Sequence, residues 1–116
     1  INSQSRSGSE AVATVALDPP TFAPELAGVA NFTTINYNFQ NQGNMLNVTI
    51  YDSNGNIIKR IAQNKLVGNQ PFFTWDGTTE SGDKARVGYY MVLTEVISAD
   101  GKVDYLKEKV AIGSRF

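Results

Sequence analysis

Apolar and polar residues alternate with a period of two along most of this chain, the pattern of a strand with one buried face. Between residues 32 and 39, Ile35, Tyr37 and Phe39 fall on one side, and Thr34, Asn36 and Asn38 on the other. Between 45 and 51, Leu46, Val48 and Ile50 oppose Asn47 and Thr49. The same reading predicts strands over 11–17, 56–61, 71–75, 88–98 and 102–112. Turn formers separate them. Asp18-Pro19-Pro20 closes the first strand, and Asn54-Gly55 and Asp100-Gly101 are tight hairpin signals. The stretches 21–30, 63–70 and 76–86 read as a Pro- and Gly-punctuated connection, a polar loop and a long turn. No segment sustains a period of 3.6.

About seven short strands, with turns spaced about 8–12 residues apart, are the arithmetic of a sandwich. Each alternating strand leaves an apolar face that only a second sheet can cover. The expectation is an all-β chain, an Ig-like antiparallel β-sandwich of about seven strands, with a small closed barrel as the alternative. Trp75 and Phe73 share a face by period two and are expected in the core with Leu46, Val48, Ile50, Val92 and Val110. An exposed Trp75 would instead offer a platform for sugar rings. Residues 1–10 are Ser-rich and polar, too poor in apolar area to offset ordering, and read as a flexible linker. Residues 11–116 read as a single domain.

Composition narrows the chemistry. The 116 residues suffice for one core without cross-links. There is no Cys and no His, which removes disulfides, thiol nucleophiles, imidazole bases and the usual zinc ligands. Ten Lys and Arg against eleven Asp and Glu leave a net charge of −1 with no basic run, a poor match for nucleic acid. No apolar run approaches the roughly 20 residues of a membrane span. The chain starts at Ile1 with no signal-peptide core after it, so it reads as a piece of something longer.

Carboxylates are the only catalytic groups left. A glycosidase needs two of them across a cleft, and here they sit in turns. Asp before Gly is a turn former. Asp76, Glu80 and Asp83 could offer oxygens to Ca²⁺, but the spacing of a calcium loop is absent. The expectation is no enzyme, no cofactor and no metal. Asn31-Phe32-Thr33 and Asn47-Val48-Thr49 match the short N-glycosylation pattern. Lys59 and Arg60 are neighbours on one strand, face opposite sides and form no patch. In the last strand Lys107, Glu108 and Lys109 precede Val110-Ala111-Ile112. Either the lysines guard a solvated edge, or the strand is presented to a partner.

Several segments in order carry a family resemblance. They are Phe32-Thr33-Thr34-Ile35-Asn36-Tyr37, Val48-Thr49-Ile50-Tyr51-Asp52-Ser53-Asn54-Gly55, Phe73-Thr74-Trp75-Asp76-Gly77-Thr78, Gly88-Tyr89-Tyr90-Met91-Val92 and Lys107-Glu108-Lys109-Val110-Ala111-Ile112. Together they resemble the Ig-like domain of the flagellar hook-cap (FlgD-like) family. They are more similar still to the version that closes many secreted proteins of Bacteroidota. The resemblance covers about residues 18–112. It implies a C-terminal sorting domain of the type 9 secretion system, following a cargo domain in the same chain. It also implies recognition by outer-membrane shuttle and translocon proteins, and export through periplasm and outer membrane to the cell surface or beyond. By position, Gly88 and Tyr90 match the family's Gly-x-Tyr element, and Lys109, Val110 and Ile112 its terminal element, with Lys107 beside them. A chain that stops just past that element fits a C-terminal signal. The acidic, Gly-rich run that many members carry early is replaced here by Pro24-Glu25-Leu26-Ala27-Gly28-Val29, which argues against a metal at that place. The FlgD-like relatives offer the alternative of a structural or adhesion spacer in an extracellular or flagellar assembly.

Overall fold

A computed structural model of the chain describes residues 13–24 and 31–113; the expected linker at 1–10 lies outside the described residues. Eight strands follow in order: β1 (Ala13–Asp18), β2 (Thr21–Phe22), β3 (Thr33–Phe39), β4 (Asn44–Asp52), β5 (Ile57–Val67), β6 (Phe72–Trp75), β7 (Gly88–Ile97) and β8 (Val103–Ile112). They form a three-stranded sheet, β1-β3-β6, and a five-stranded sheet, β2-β8-β7-β4-β5. The two inner faces are the alternating rows of the sequence. Ile35, Tyr37 and Phe39 from β3 are buried with Leu46, Val48 and Ile50 from β4, Val92 from β7 and Val110 from β8. Each sheet keeps its own ends rather than closing on itself, so the molecule is a sandwich and not a barrel.

Two elements differ from the sequence reading. The chain breaks at Pro19-Pro20, with a cis peptide bond between Asp18 and Pro19, and changes sheets there. β1 runs antiparallel to β3, whereas β2 runs parallel to β8. The larger sheet is therefore mixed, and β2 is an eighth strand inside the expected connection. Proline has no N–H to offer a ladder, which is why the break falls where it does. A two-residue strand is too short to show a period, yet Phe22 is buried against Trp75, their rings 5.6 Å apart edge to face.

The second difference is β5, which continues through the expected polar loop to Val67. Its register against β4 shifts between Leu46 and Val48, Val48 and Thr49, and Ile50 and Tyr51. Each bulge re-aims the side chains that follow, so no steady alternation survives. Asn64 adopts a φ of 51°, and its N–H donates to Asn47 Oδ1 at 2.8 Å. Asparagine tolerates that left-handed setting better than most residues. Phe73 also departs from expectation. It is half-buried at the rim, its ring edge to face with Tyr37 at 5.9 Å, because β6 is only four residues long.

One polar bond crosses the core. The hydroxyls of Tyr37 and Thr94 lie 2.6 Å apart, joining the two sheets. Burial pushes the Tyr37 phenol up to about 12, and the bond to Thr94 pulls slightly the other way. The neutral phenol is thus favoured by the fold. Its contribution is complete below pH 10, the unfolded value, and drains away as pH rises from 10 toward 12. At 1.36 kcal/mol per unit, that amounts to about 2–3 kcal/mol. Urea unfolding across this range should show the loss, and Tyr37→Phe should flatten it. An unchanged alkaline limb in Tyr37→Phe would contradict the assignment.

Candidate functional site

The two sequence elements at the end of the domain face each other. β7 and β8 pair with Gly88 opposite Ile112, Tyr90 opposite Val110, Met91 opposite Lys109 and Leu93 opposite Lys107. Strand alternation then divides the set. Tyr90, Val110 and Ile112 point into the core, while Lys107 and Lys109 point to solvent. Gly88 opens β7 at a φ of 151°, a setting that side chains rarely adopt.

Tyr90 acts as a packing group. Its ring meets Trp75 edge to face at 5.3 Å, and its hydroxyl donates to the Arg86 carbonyl at 2.5 Å. Burial, with the Asp52 charge adding, holds its phenol above the ordinary value. It fastens the 76–86 segment to the core. Trp75 is 1% exposed, so it offers no platform to a sugar. Its Nε1–H donates to the Thr78 carbonyl at 2.9 Å.

The carboxylates form turns. Asp76 Oδ1 accepts from the Thr78 hydroxyl at 2.6 Å and from the Thr78 N–H at 3.2 Å. The bond from the Thr78 side chain is the main reason its carboxyl sits below the ordinary range. Asp52 accepts from the N–H groups of Asn54 and Asn56, both at 2.9 Å, around Gly55 at a φ of 86°. The Asn56 backbone bond is the largest cause of its lowered pKa. Glu80 Oε2 accepts from the Arg60 N–H, and the Glu80 N–H donates to the Ile58 carbonyl at 2.9 Å. Asp83 accepts from the Ser81 hydroxyl at 3.1 Å. Among the described residues no three acidic groups gather at one point. The Asn47 side-chain amide is likewise committed, donating to Glu95 Oε1 at 3.0 Å.

The solvent face of β7 and β8 is different. A groove of about 370 Å³ lies there, between Asp52 and Ser53 at one end and Tyr89, Met91, Lys107 and Lys109 along its length. Tyr89 is 64% exposed, and the Lys109 ammonium stands 4.9 Å from its ring centroid, a cation–π contact. Lys107 makes no ion pair with any described residue. The sequence reading singled out Tyr90 and passed over Tyr89 and Met91. Counting outward from Lys109 by twos across the hairpin would have found both. This arrangement can hold an apolar group against Met91 and Tyr89 and place a negative charge beside either lysine. Among the described residues it gathers no metal-ligating group.

Comparison with known proteins agrees with the architecture. A family model, the FlgD Ig-like domain, matches residues 20–100. Two solved structures resemble the chain. FlgD from Xanthomonas campestris, described in terms of hook capping essential for flagellar assembly, superposes with a TM-score of 0.55 at 22% identity, over 93% of this chain and 76% of that one. CopC from Methylosinus trichosporium OB3b gives 0.52 at 18% identity, over 90% and 96%. At these identities both share the fold alone. No curated protein matches the sequence.

Proposed function

The chain belongs to the FlgD Ig-like domain family, and on that premise we propose that it is a non-catalytic sorting and anchoring domain of a larger exported protein. In this reading it directs an upstream cargo domain through the type 9 secretion system. Outer-membrane shuttle or translocon components recognise its β7–β8 hairpin. The observation that carries the reading is the division of labour within that hairpin. Tyr90, Val110 and Ile112 are spent on the core, while Lys107, Lys109 and the exposed Tyr89 lie on the solvent face, with Lys109 over the Tyr89 ring. Every described carboxylate named in the turns is occupied by local bonds, which supports a binding role over catalysis. Among the described residues no helix is long and apolar enough to cross a membrane. The family match also suits a second reading, a structural spacer in a surface or flagellar assembly.

The test is to fuse the 116-residue chain behind a signal peptide and a reporter in a bacterium with the type 9 system. The fusion should reach the medium or cell surface. Lys107→Glu with Lys109→Glu should cut export at least tenfold. Both side chains face solvent, so the melting temperature of the double variant should stay close to that of the parent. A correctly folded parent fusion held in the periplasm would leave the spacer reading in place of this one.

A further inference from the structure

The five-stranded sheet has two long flanks, and among the described residues each is covered only in part. On β5, Glu80 pairs with Ile58 through its N–H and with Arg60 through its carboxylate, so the 78–84 segment covers part of that flank. On β8 the cover is β2, which spans two residues, Thr21 opposite Ala111 and Phe22 opposite Ile112. The bonds there are the Ala111 N–H to the Pro20 carbonyl and the Gly113 N–H to the Phe22 carbonyl. Main-chain groups alternate sides along a strand. The N–H and C=O groups of Lys109, Lys107, Tyr105 and Val103 therefore point to the same side as those of Ala111. No described residue bonds them.

We propose that this open flank of β8, from Val103 to Lys109, is a docking site for an extended strand of another protein whose outward side chains are acidic. The strand would lie alongside β8 on the side where β2 begins, ahead of the point at which the chain joins β8 at Pro20. Its ladder would use the four free N–H and C=O positions. Its outward residues would stand opposite Lys107 and Lys109, two cations on one face, of which Lys109 also stands over the Tyr89 ring. Its inward residues would meet Glu108 and Leu106. Leu106 is half-buried and packs against the margin of the core, where β1 comes close to β8. The complement of Lys107-Glu108-Lys109 is acidic–basic–acidic, with an apolar residue over Leu106.

A second copy of β8 does not meet that specification. Antiparallel pairing centred on Lys107 sets lysine against lysine. Pairing centred on Leu106 sets Asp104 against Glu108. Like charges directly opposite each other oppose a ladder. This inference supplies the mode and chemistry of the partner in the sorting reading, and rests on that reading only for the partner's identity.

Amide exchange and peptide binding test it on the whole chain. In the free chain the N–H groups of Val103, Tyr105, Lys107 and Lys109 should exchange much faster than those of Asp104, Leu106 and Glu108. Two synthetic peptides serve as probes, one for each strand direction: acetyl-Glu-Lys-Glu-Val-Thr-Lys-Val-amide and acetyl-Val-Lys-Thr-Val-Glu-Lys-Glu-amide. One of them should bind saturably and slow exchange at those four positions. Exchanging Glu for Lys and Lys for Glu in that peptide should weaken binding at least tenfold, as should Lys107→Glu with Lys109→Glu. N-methylation of its edge-facing amides should abolish binding. Slow exchange in the free chain, no binding by either peptide, or binding that leaves the four amides fast would each overturn the proposal. Export that depends on the two lysines while neither peptide binds would retain the sorting reading and remove the strand mode.

Discussion

Replacing Trp75 by alanine should lower the unfolding free energy by about 3–5 kcal/mol, the range for removing a fully buried aromatic. The indole lies between Phe22 and Tyr90 at 5.6 and 5.3 Å, both edge to face. Its loss removes both contacts and leaves a void that the sheets cannot close, because each flanking ring is tied to a different strand. It also strips the Thr78 carbonyl of its donor. Against a total stability of about 5–15 kcal/mol for a typical domain, this is a large fraction. Urea unfolding checks the size of the effect. In the folded parent the indole fluorescence should be that of a dry environment, and emission typical of hydrated indole would contradict the packing.

Gly77→Ala should cost about 2–5 kcal/mol, and two separable causes contribute. The φ of 83° disfavours any Cβ by about 1–2 kcal/mol. The Cβ would also stand 2.7 Å from the Pro24 ring, with Phe22 and Ile112 at 3.5 Å. Overpacking of this kind costs about 1–3 kcal/mol. Gly82→Ala provides the control. Its φ is 92°, yet nothing lies within 4 Å of the added carbon, so only the backbone part should appear. Equal losses in the two variants would show that Pro24 moves aside freely.

The strands that could be read from sequence are those with one face in the core and a regular ladder. In β3 and β4 the apolar row is unbroken, and Ile35, Leu46, Val48 and Ile50 are completely buried. β5 resisted the same reading because its bulges interrupt the period and because Gln63, Asn64 and Lys65 belong to an outermost strand that faces water. β2 resisted because two residues carry no period. In the candidate site, the pairing of Gly88-x-Tyr90 with Lys109-Val110-x-Ile112 was present in the chain as two alternating runs around one turn. Which members face solvent was fixed by register, and register depends on the Asp100-Gly101 turn and on the core beneath Val92 and Val110. The motif most prominent in sequence, Tyr90, therefore proved to be packing, and its inconspicuous neighbour Tyr89 lies on the surface.

The change of sheets at Pro19-Pro20 has a mechanical side. β2 and β8 run in the same direction, β2 following directly on the first strand and β8 being the last. Tension applied through the flanking chain would drag them along their own axes in opposite senses. The bonds from Ala111 to Pro20 and from Gly113 to Phe22 would then be loaded in shear and would have to fail together, whereas an antiparallel hairpin pulled from its open end unzips one bond at a time. The Thr33 hydroxyl, which donates to the Pro19 carbonyl at 2.6 Å, ties the same junction to the opposite sheet. Behind the β1–β3 ladder, a two-residue strand anchored by the buried Phe22 is thus a second latch against a pull on the domain.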